Sequence, residues 1–298
     1  MEEKAVRDDR HAVRIYLMIV LGICYGLGVL ELLTKTGKVY QLLAKGFTAV
    51  PVIAAFLTRR LTGVQFKYSL SLKVWKNWKA WLFSAFVPGI LIGIGAVLYY
   101  IIFRGQYSGV CRYGALFGSD VSVLVKNPLI FMLVCALISA AAVPIQLLEL
   151  GEEIGWRQYL LGFQKEKYGY RKAVFINGME WGLAHLPLIW FGFNYSLENF
   201  GAPWSNMVLM MLLCVVLGTI ISYITIRTGN CMYAAIIHGT VNVAAEIPVC
   251  LSFDMKNGLL GPNPTGIVSM IPLIILALVL LQRMKNDDMG SPEESSVQ

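Results

Sequence analysis

Charged residues are scarce in this chain. They make up 14% of its 298 residues, whereas 57% are hydrophobic, and soluble domains carry about 25% charged residues. So large an apolar fraction would give a soluble protein an extensive exposed hydrophobic surface, which soluble proteins rarely have. We therefore expect most of the chain to face lipid, and its length suits one polytopic membrane domain.

Sequence signals that define several other protein classes are also missing. The six cysteines show no CxxC spacing, so we expect small core residues rather than a disulfide framework. The net charge is +7, but no nucleic-acid motif accompanies it, and an anionic lipid surface is the expected partner of this charge. The N-terminus lacks a cleavage site of the A-x-A type, so we expect the first helix to remain as an anchor.

Long hydrophobic segments are what the sequence does contain. A helix crosses a bilayer with about 20 mainly apolar residues, and eight segments meet that length. They are roughly 14–33, 39–58, 80–103, 127–148, 172–192, 206–227, 231–251 and 265–282. The sequence thus predicts an all-α polytopic membrane protein with about eight transmembrane helices in one bundle. We expect a single transmembrane domain at 1–285, with the motifs within about 128–250, and a polar, disordered tail at 286–298.

Lysine and arginine are distributed unevenly between these segments. They concentrate in the N-terminal tail, in 59–79, in 157–172 and directly after the last span. The four regions fall on one side of the membrane when eight spans alternate, and loops rich in lysine and arginine face the cytoplasm. We therefore expect both termini to be cytoplasmic.

Ionisable residues within the hydrophobic segments form three clusters, of which the first follows the fourth predicted span. A charged side chain at the bilayer centre costs about 2.5–3.5 kcal/mol, so such residues are usually paired and functional. In the sequence LGEEIGWRQYL, Glu153 and Arg157 are four residues apart and can pair on one helix face, which would leave Glu152 free as a base. A solvated helix end with a surface ion pair is the alternative.

The other two clusters contain histidine. His185 precedes Pro187 in the fifth span, and a proline frees backbone carbonyls, which can open a polar cavity. His238 and Asn242 are four residues apart in the seventh span and share a helix face. The alternatives are a hydrogen-bonded core residue for His185, and interhelical hydrogen bonds that only hold the bundle together for the second pair.

Together the three clusters hold the groups that hydrolysis of an amide by water requires. Glutamate can act as a general base toward water, and histidine can position the water or donate a proton. A His/Asn pair can donate hydrogen bonds to the developing oxyanion. Two histidines and a glutamate also form a known catalytic zinc pattern, so a metal, if one binds, would be expected on Glu152, His185 and His238.

The motifs resemble those of the CAAX protease and bacteriocin-processing (CPBP or Abi) family, which includes the type II CAAX prenyl endopeptidases. GEEIGWRQYLL looks like its EExxxR motif, and AAIIHGTVN looks like its HxxxN motif. EWGLAHLP looks like its second motif, in which an aromatic residue stands four before a histidine. Here that aromatic residue is Trp181, where the eukaryotic prenyl proteases have phenylalanine. The match covers about residues 150–245.

The resemblance implies an eight-helix intramembrane peptidase in which Glu152 activates a water. It assigns six residues to the catalytic site: Glu152, Glu153, Arg157, His185, His238 and Asn242. Eukaryotic members remove the last three residues of prenylated CAAX proteins, and some bacterial members are linked to bacteriocin self-immunity. We expect a peptide or lipidated-peptide substrate, a bacterial plasma-membrane location and no cofactor, with zinc or another divalent metal as the alternative.

Two other functions fit the same residues. Intramembrane Glu and His chains also mark ion paths, as in a proton-coupled transporter, although the sequence has no inverted repeat. A non-catalytic membrane protein that binds a bacteriocin is the other. The favoured interpretation is an endopeptidase that cuts near the C-terminus of a prenylated or otherwise membrane-bound peptide.

Overall fold

Helices form the regular secondary structure of this protein. The computed structural model describes residues 2–64, 70–108, 148–253 and 257–284, with the isolated positions 133 and 137. Its α-helices are α1 (Glu2–Thr34), α2 (Lys38–Gly46), α3 (Val50–Thr62), α4 (Trp78–Ile102), α5 (Leu150–Glu153), α6 (Leu161–Tyr168), α7 (Tyr170–Trp190), α8 (Trp204–Thr228), α9 (Met232–Cys250) and α10 (Ile267–Arg283). In these ranges the only β pairing is one isolated bridge between Tyr107 and Ser252. The predicted all-α class is confirmed.

The described helices coincide with seven of the predicted spans. Five helical segments are long and apolar enough to cross a membrane: Arg10–Thr34, Lys38–Thr62, Val74–Ile102, Trp204–Thr228 and Met232–Cys250. The fifth predicted span is α7, a 21-residue helix, and the eighth is α10, a shorter apolar helix of 17 residues. The fourth predicted span, 127–148, lies almost entirely outside the described residues, and so does the tail 286–298.

The outer surface of the helices is strongly apolar. Leu33, Leu61 and Val208 are 76%, 70% and 68% exposed, and many other large hydrophobic side chains also point outward. In water such a surface would drive aggregation, whereas in a bilayer it faces hydrocarbon. The protein is therefore an integral membrane protein, as its composition predicted.

The interior combines apolar packing with buried polar side chains. Trp156 and Trp181 are among the largest fully buried side chains. Cys24, Cys214 and Cys231 are buried free thiols, as expected for core residues. Cys250 departs from that expectation because it takes part in a disulfide bond.

Candidate active site

The two adjacent glutamates lie on a helical segment that changes its winding. The short helix α5 ends at Glu153 and continues directly into a π-helix, Ile154–Leu160, and then into α6. Segments of π-helix are rare in proteins overall, and those that occur are often at functional sites. Arg157 lies within this wider turn, and its Nε is 3.3 Å from Glu153 Oε2, with both side chains fully buried. The ion pair predicted from their spacing is confirmed.

Two glycines bring this segment into direct contact with the start of α3. A Cβ atom on Gly151 would overlap the carbonyl group of Thr48, and one on Gly155 would overlap Pro51. The two glycines are four residues apart, so they share one face of the segment. That face packs against backbone, and the glutamates between the glycines are buried, with Glu152 3% and Glu153 0% exposed.

Trp181 of α7 is the common neighbour of several site residues. Its indole Nε1 donates a hydrogen bond of 2.8 Å to Glu152 Oε2. The Arg157 guanidinium lies over the same ring, 4.1 Å from the centroid, where a cation–π attraction operates. The rings of His185 and His238 lie edge-on to it, at centroid distances of 5.6 and 5.2 Å. Trp181 therefore contacts Glu152, Arg157 and both histidines.

The two predicted site residues of α9 contact the acids. His238 Nδ1 is 2.8 Å from Glu153 Oε1, and His238 Nε2 is 3.7 Å from Glu149 Oε2. Asn242 Nδ2 donates a hydrogen bond of 3.0 Å to Glu149 Oε1. His238 is buried whereas Asn242 is exposed, so the site reaches the surface of the helices at Asn242.

His185 is oriented differently from the expectation that it would join the acids. Its Nδ1 is 2.9 Å from the Trp181 carbonyl oxygen. Because a carbonyl only accepts hydrogen bonds, Nδ1 must carry the proton, and Nε2 is the acceptor in the neutral ring. The imidazole packs 4.4 Å from the Phe47 ring, centroid to centroid, and Cys214 Sγ is 3.9 Å from Nδ1. His185 thus lies beside the polar cluster, next to Trp181.

A compact group of possible metal ligands lies between α5 and α9. The group consists of Glu149, Glu152 and His238, and their ligand atoms all lie within 4.8 Å of one another. The set expected from the sequence was Glu152, His185 and His238; in the structure Glu149 takes the place of His185, which faces the Trp181 backbone. Glu149 Oε2 is buried and accepts no hydrogen bond in the described part of the chain. Two carboxylates and an imidazole suit a divalent metal.

The same group has dimensions that suit a water molecule. Two atoms that each lie about 2.8 Å from one water are about 4.6 Å apart when the water is tetrahedral. The atoms of this group lie within 4.8 Å of one another, and His238 Nε2 and Glu149 Oε2 are closer, at 3.7 Å. A buried water typically makes about three hydrogen bonds. A water bonded to two atoms of this group would therefore contact at least one carboxylate.

Two residues of this cluster were not assigned from the sequence. Glu149 lies one helical turn before Glu152, and Trp181 lies one turn before His185. These spacings were the available signals. They were weak, because acids at the end of a span and aromatic residues within a span are common without any function.

Comparison with known proteins finds similarity in the region that holds the cluster. Residues 126–244 match the family model described as "Type II CAAX prenyl endopeptidase Rce1-like", and the acids, histidines and asparagine of the cluster all lie in that region. The "CAAX prenyl protease 2" of Methanococcus maripaludis is 30% identical over 106 residues, which are 35% of this chain and 39% of that protein. The chain thus spans about two fifths of that relative's length. These matches confirm the resemblance of region 126–244 to the CAAX prenyl proteases.

Proposed function

We propose that this protein is an intramembrane endopeptidase that hydrolyses a peptide bond with a water activated by Glu152. The observation that carries the proposal is the buried group of Glu149, Glu152 and His238, whose polar atoms lie within 4.8 Å of one another. Within this group Glu152 and His238 can hold one water, with Glu152 beside it as the general base. The match of region 126–244 to the type II CAAX prenyl endopeptidase model supports the same reaction.

The neighbouring contacts favour Glu152 over Glu153 as the base. Glu153 pairs with Arg157 through one oxygen and contacts His238 Nδ1 through the other. Glu152 accepts the indole hydrogen bond from Trp181 and forms no ion pair with the described residues. In the proposed reaction the water oxygen bonds to the scissile carbonyl carbon while Glu152 takes a water proton. The C–N bond then breaks, and the leaving amine receives that proton from Glu152.

The donors of α9 are suited to the oxyanion that forms in this reaction. Asn242 uses one N–H on Glu149 and has a second N–H for substrate, because a carboxamide carries two. His238 Nε2 is the ring nitrogen that Glu153 does not hold; it donates in the imidazolium form, in which both ring nitrogens carry a proton. Hydrogen-bond donors aimed at a developing oxyanion usually contribute strongly to the rate. Removing one such donor lowers kcat by about 10²–10³-fold.

The proposed substrate is a peptide held at the membrane by a lipid, cut near its C-terminus. Two observations support this class: the site lies between membrane-spanning helices and reaches their surface at Asn242, and the relative from M. maripaludis bears the name of a prenyl protease. From the distribution of lysine and arginine we propose that both termini are cytoplasmic. The bacterial plasma membrane is the location that the family resemblance implies.

We propose that the reaction needs no metal, with Glu152 itself as the base. The donor set of Glu149, Glu152 and His238 also suits a divalent metal, which when bound would polarise the scissile carbonyl. These two forms of the mechanism differ in their response to chelators.

The proposal is tested with the purified full-length chain in liposomes. The probe is a peptide ending in a farnesylated CAAX sequence, with a fluorophore and a quencher on opposite sides of the bond. We expect cleavage by the wild type and a loss of about 100-fold or more in Glu152→Gln, since a general base contributes about 10²–10⁴-fold. The matched control is Glu166→Gln, which removes an exposed acid on α6 and should leave cleavage unchanged.

Three outcomes would contradict the proposal. Full cleavage by Glu152→Gln would show that another group is the base. Substrate-dependent proton flux into the liposomes without any cleavage would indicate a transporter. Bacteriocin resistance in cells that survives both Glu152→Ala and His238→Ala, again without cleavage in vitro, would indicate a binding protein.

A further inference from the structure

Glu149 is a buried acid that the resemblance to the family does not assign to the site. It directly precedes α5, its residue is 6% exposed, and its backbone carbonyl accepts the Glu153 N–H at 3.1 Å. A buried carboxylate is unfavourable unless it is hydrogen-bonded or paired. Its side-chain partners therefore indicate what it does.

Both partners of Glu149 lie on α9, one helical turn apart. Oε1 accepts the Asn242 Nδ2–H at 3.0 Å, which is an ordinary hydrogen-bond distance. Oε2 is 3.7 Å from His238 Nε2, too long for a hydrogen bond. The contact that Glu149 makes at full strength is therefore the one with Asn242.

Asn242 needs such a partner if it is to act as a donor at a fixed position. It is exposed on α9, and a terminal carboxamide rotates over a broad range of angles. An acceptor on one N–H fixes the plane of the amide and thereby the direction of the second N–H. The carboxylate of Glu149 is that acceptor.

We infer that Glu149 is a positioning residue, which orients the Asn242 carboxamide so that its second N–H is directed at the oxyanion of the proposed reaction. The inference rests on the proposed function. Its requirement is a hydrogen-bond acceptor at this position, not a negative charge. Glutamine supplies an acceptor oxygen of the same reach, whereas leucine has a similar size and no acceptor.

The test measures kcat and KM for Glu149→Leu, Glu149→Gln, Asn242→Ala and the double variant Glu149→Leu/Asn242→Ala with the farnesylated peptide. Residues that orient a functional side chain typically contribute about 10–100-fold, so we expect Glu149→Leu to lower kcat by about that factor with little change in KM. Glu149→Gln should retain most of the wild-type kcat. In the double variant kcat should equal that of Asn242→Ala, because Glu149 acts through Asn242 and coupled residues are not additive.

Thermal unfolding of every variant separates this role from a purely structural one, which would lower the unfolding temperature without producing coupling in kcat. If Glu149→Leu does not fold, Glu149→Ala replaces it. The inference is overturned if the two single losses multiply in the double variant, if Glu149→Gln loses as much as Glu149→Leu, or if Glu149→Leu keeps the wild-type kcat. The proposed function stands or falls separately, on cleavage by the wild type and its loss in Glu152→Gln.

Discussion

Replacing Trp181 by phenylalanine would remove one hydrogen bond from the site while keeping an aromatic ring in place. The indole N–H of Trp181 donates to Glu152 Oε2 at 2.8 Å, and phenylalanine has no such donor. The ring would still face Arg157, whose guanidinium lies 4.1 Å from its centroid. Trp181→Phe therefore removes the hydrogen bond completely and weakens the cation–π attraction.

The size of the effect follows from these two contacts. A hydrogen bond to a charged group contributes about 1.5–3 kcal/mol, and tryptophan binds a cation more strongly than phenylalanine does, by up to about 1 kcal/mol. We expect Trp181→Phe to lower the free energy of unfolding by about 1.5–4 kcal/mol beyond the effect of the smaller ring. That additional loss is large relative to the total stability of a typical domain.

Trp156 provides the matched control. It is fully buried, and its Nε1 has no hydrogen-bond partner in the part of the chain that the structure describes. Trp156→Phe thus makes the same change in ring size without breaking a hydrogen bond. Unfolding of both variants in mixed micelles, followed by circular dichroism, gives the difference. Equal destabilisation, or a larger loss in Trp156→Phe, would refute the assignment of the Trp181–Glu152 hydrogen bond.

Three further predictions concern packing, charge and metal. Gly155→Ala should destabilise the protein by about 1–3 kcal/mol because the added Cβ would overlap Pro51. The control Gly162→Ala adds a Cβ in open space and should not destabilise it. Equal unfolding temperatures of the two variants would contradict this packing. Arg157→Met should cost about 3–5 kcal/mol, since it removes the buried cation that pairs with Glu153 Oε2 and leaves the hydrogen bond to His238 on the other oxygen. Adding Glu153→Met should restore much of the loss in the same unfolding assay, and a double variant no more stable than the single one would count against the ion pair. Dialysis against a chelator should leave peptide cleavage unchanged; a loss that zinc restores would show that the mechanism requires metal.

Local features of the site could be predicted because they depend on helix periodicity alone. Glu153 and Arg157 pair across four residues, and His238 and Asn242 share the face of α9 that contacts the acids. Helical residues three or four apart are neighbours whatever the rest of the fold does. The same reasoning does not say which other helix lies opposite that face.

The partners across helices could not be predicted for that reason. Glu149, rather than His185, completes the group with Glu152 and His238. This outcome depends on the rotation of α7, which places the His185 Nδ1 against the Trp181 carbonyl. It also depends on how closely the 150–160 segment approaches α3, which only the contacts of Gly151 and Gly155 establish.

The amino-acid sequence by itself determined that this is an all-α membrane protein and which helix faces carry polar groups, because apolar length and helical spacing are properties of each segment alone. The tertiary structure decided which carboxylate meets which side chain of α9 and which indole donates to Glu152. Those pairings depend on the relative rotation and depth of packed helices, and shifts of a few ångströms in either would change the partners without changing any pattern in the sequence.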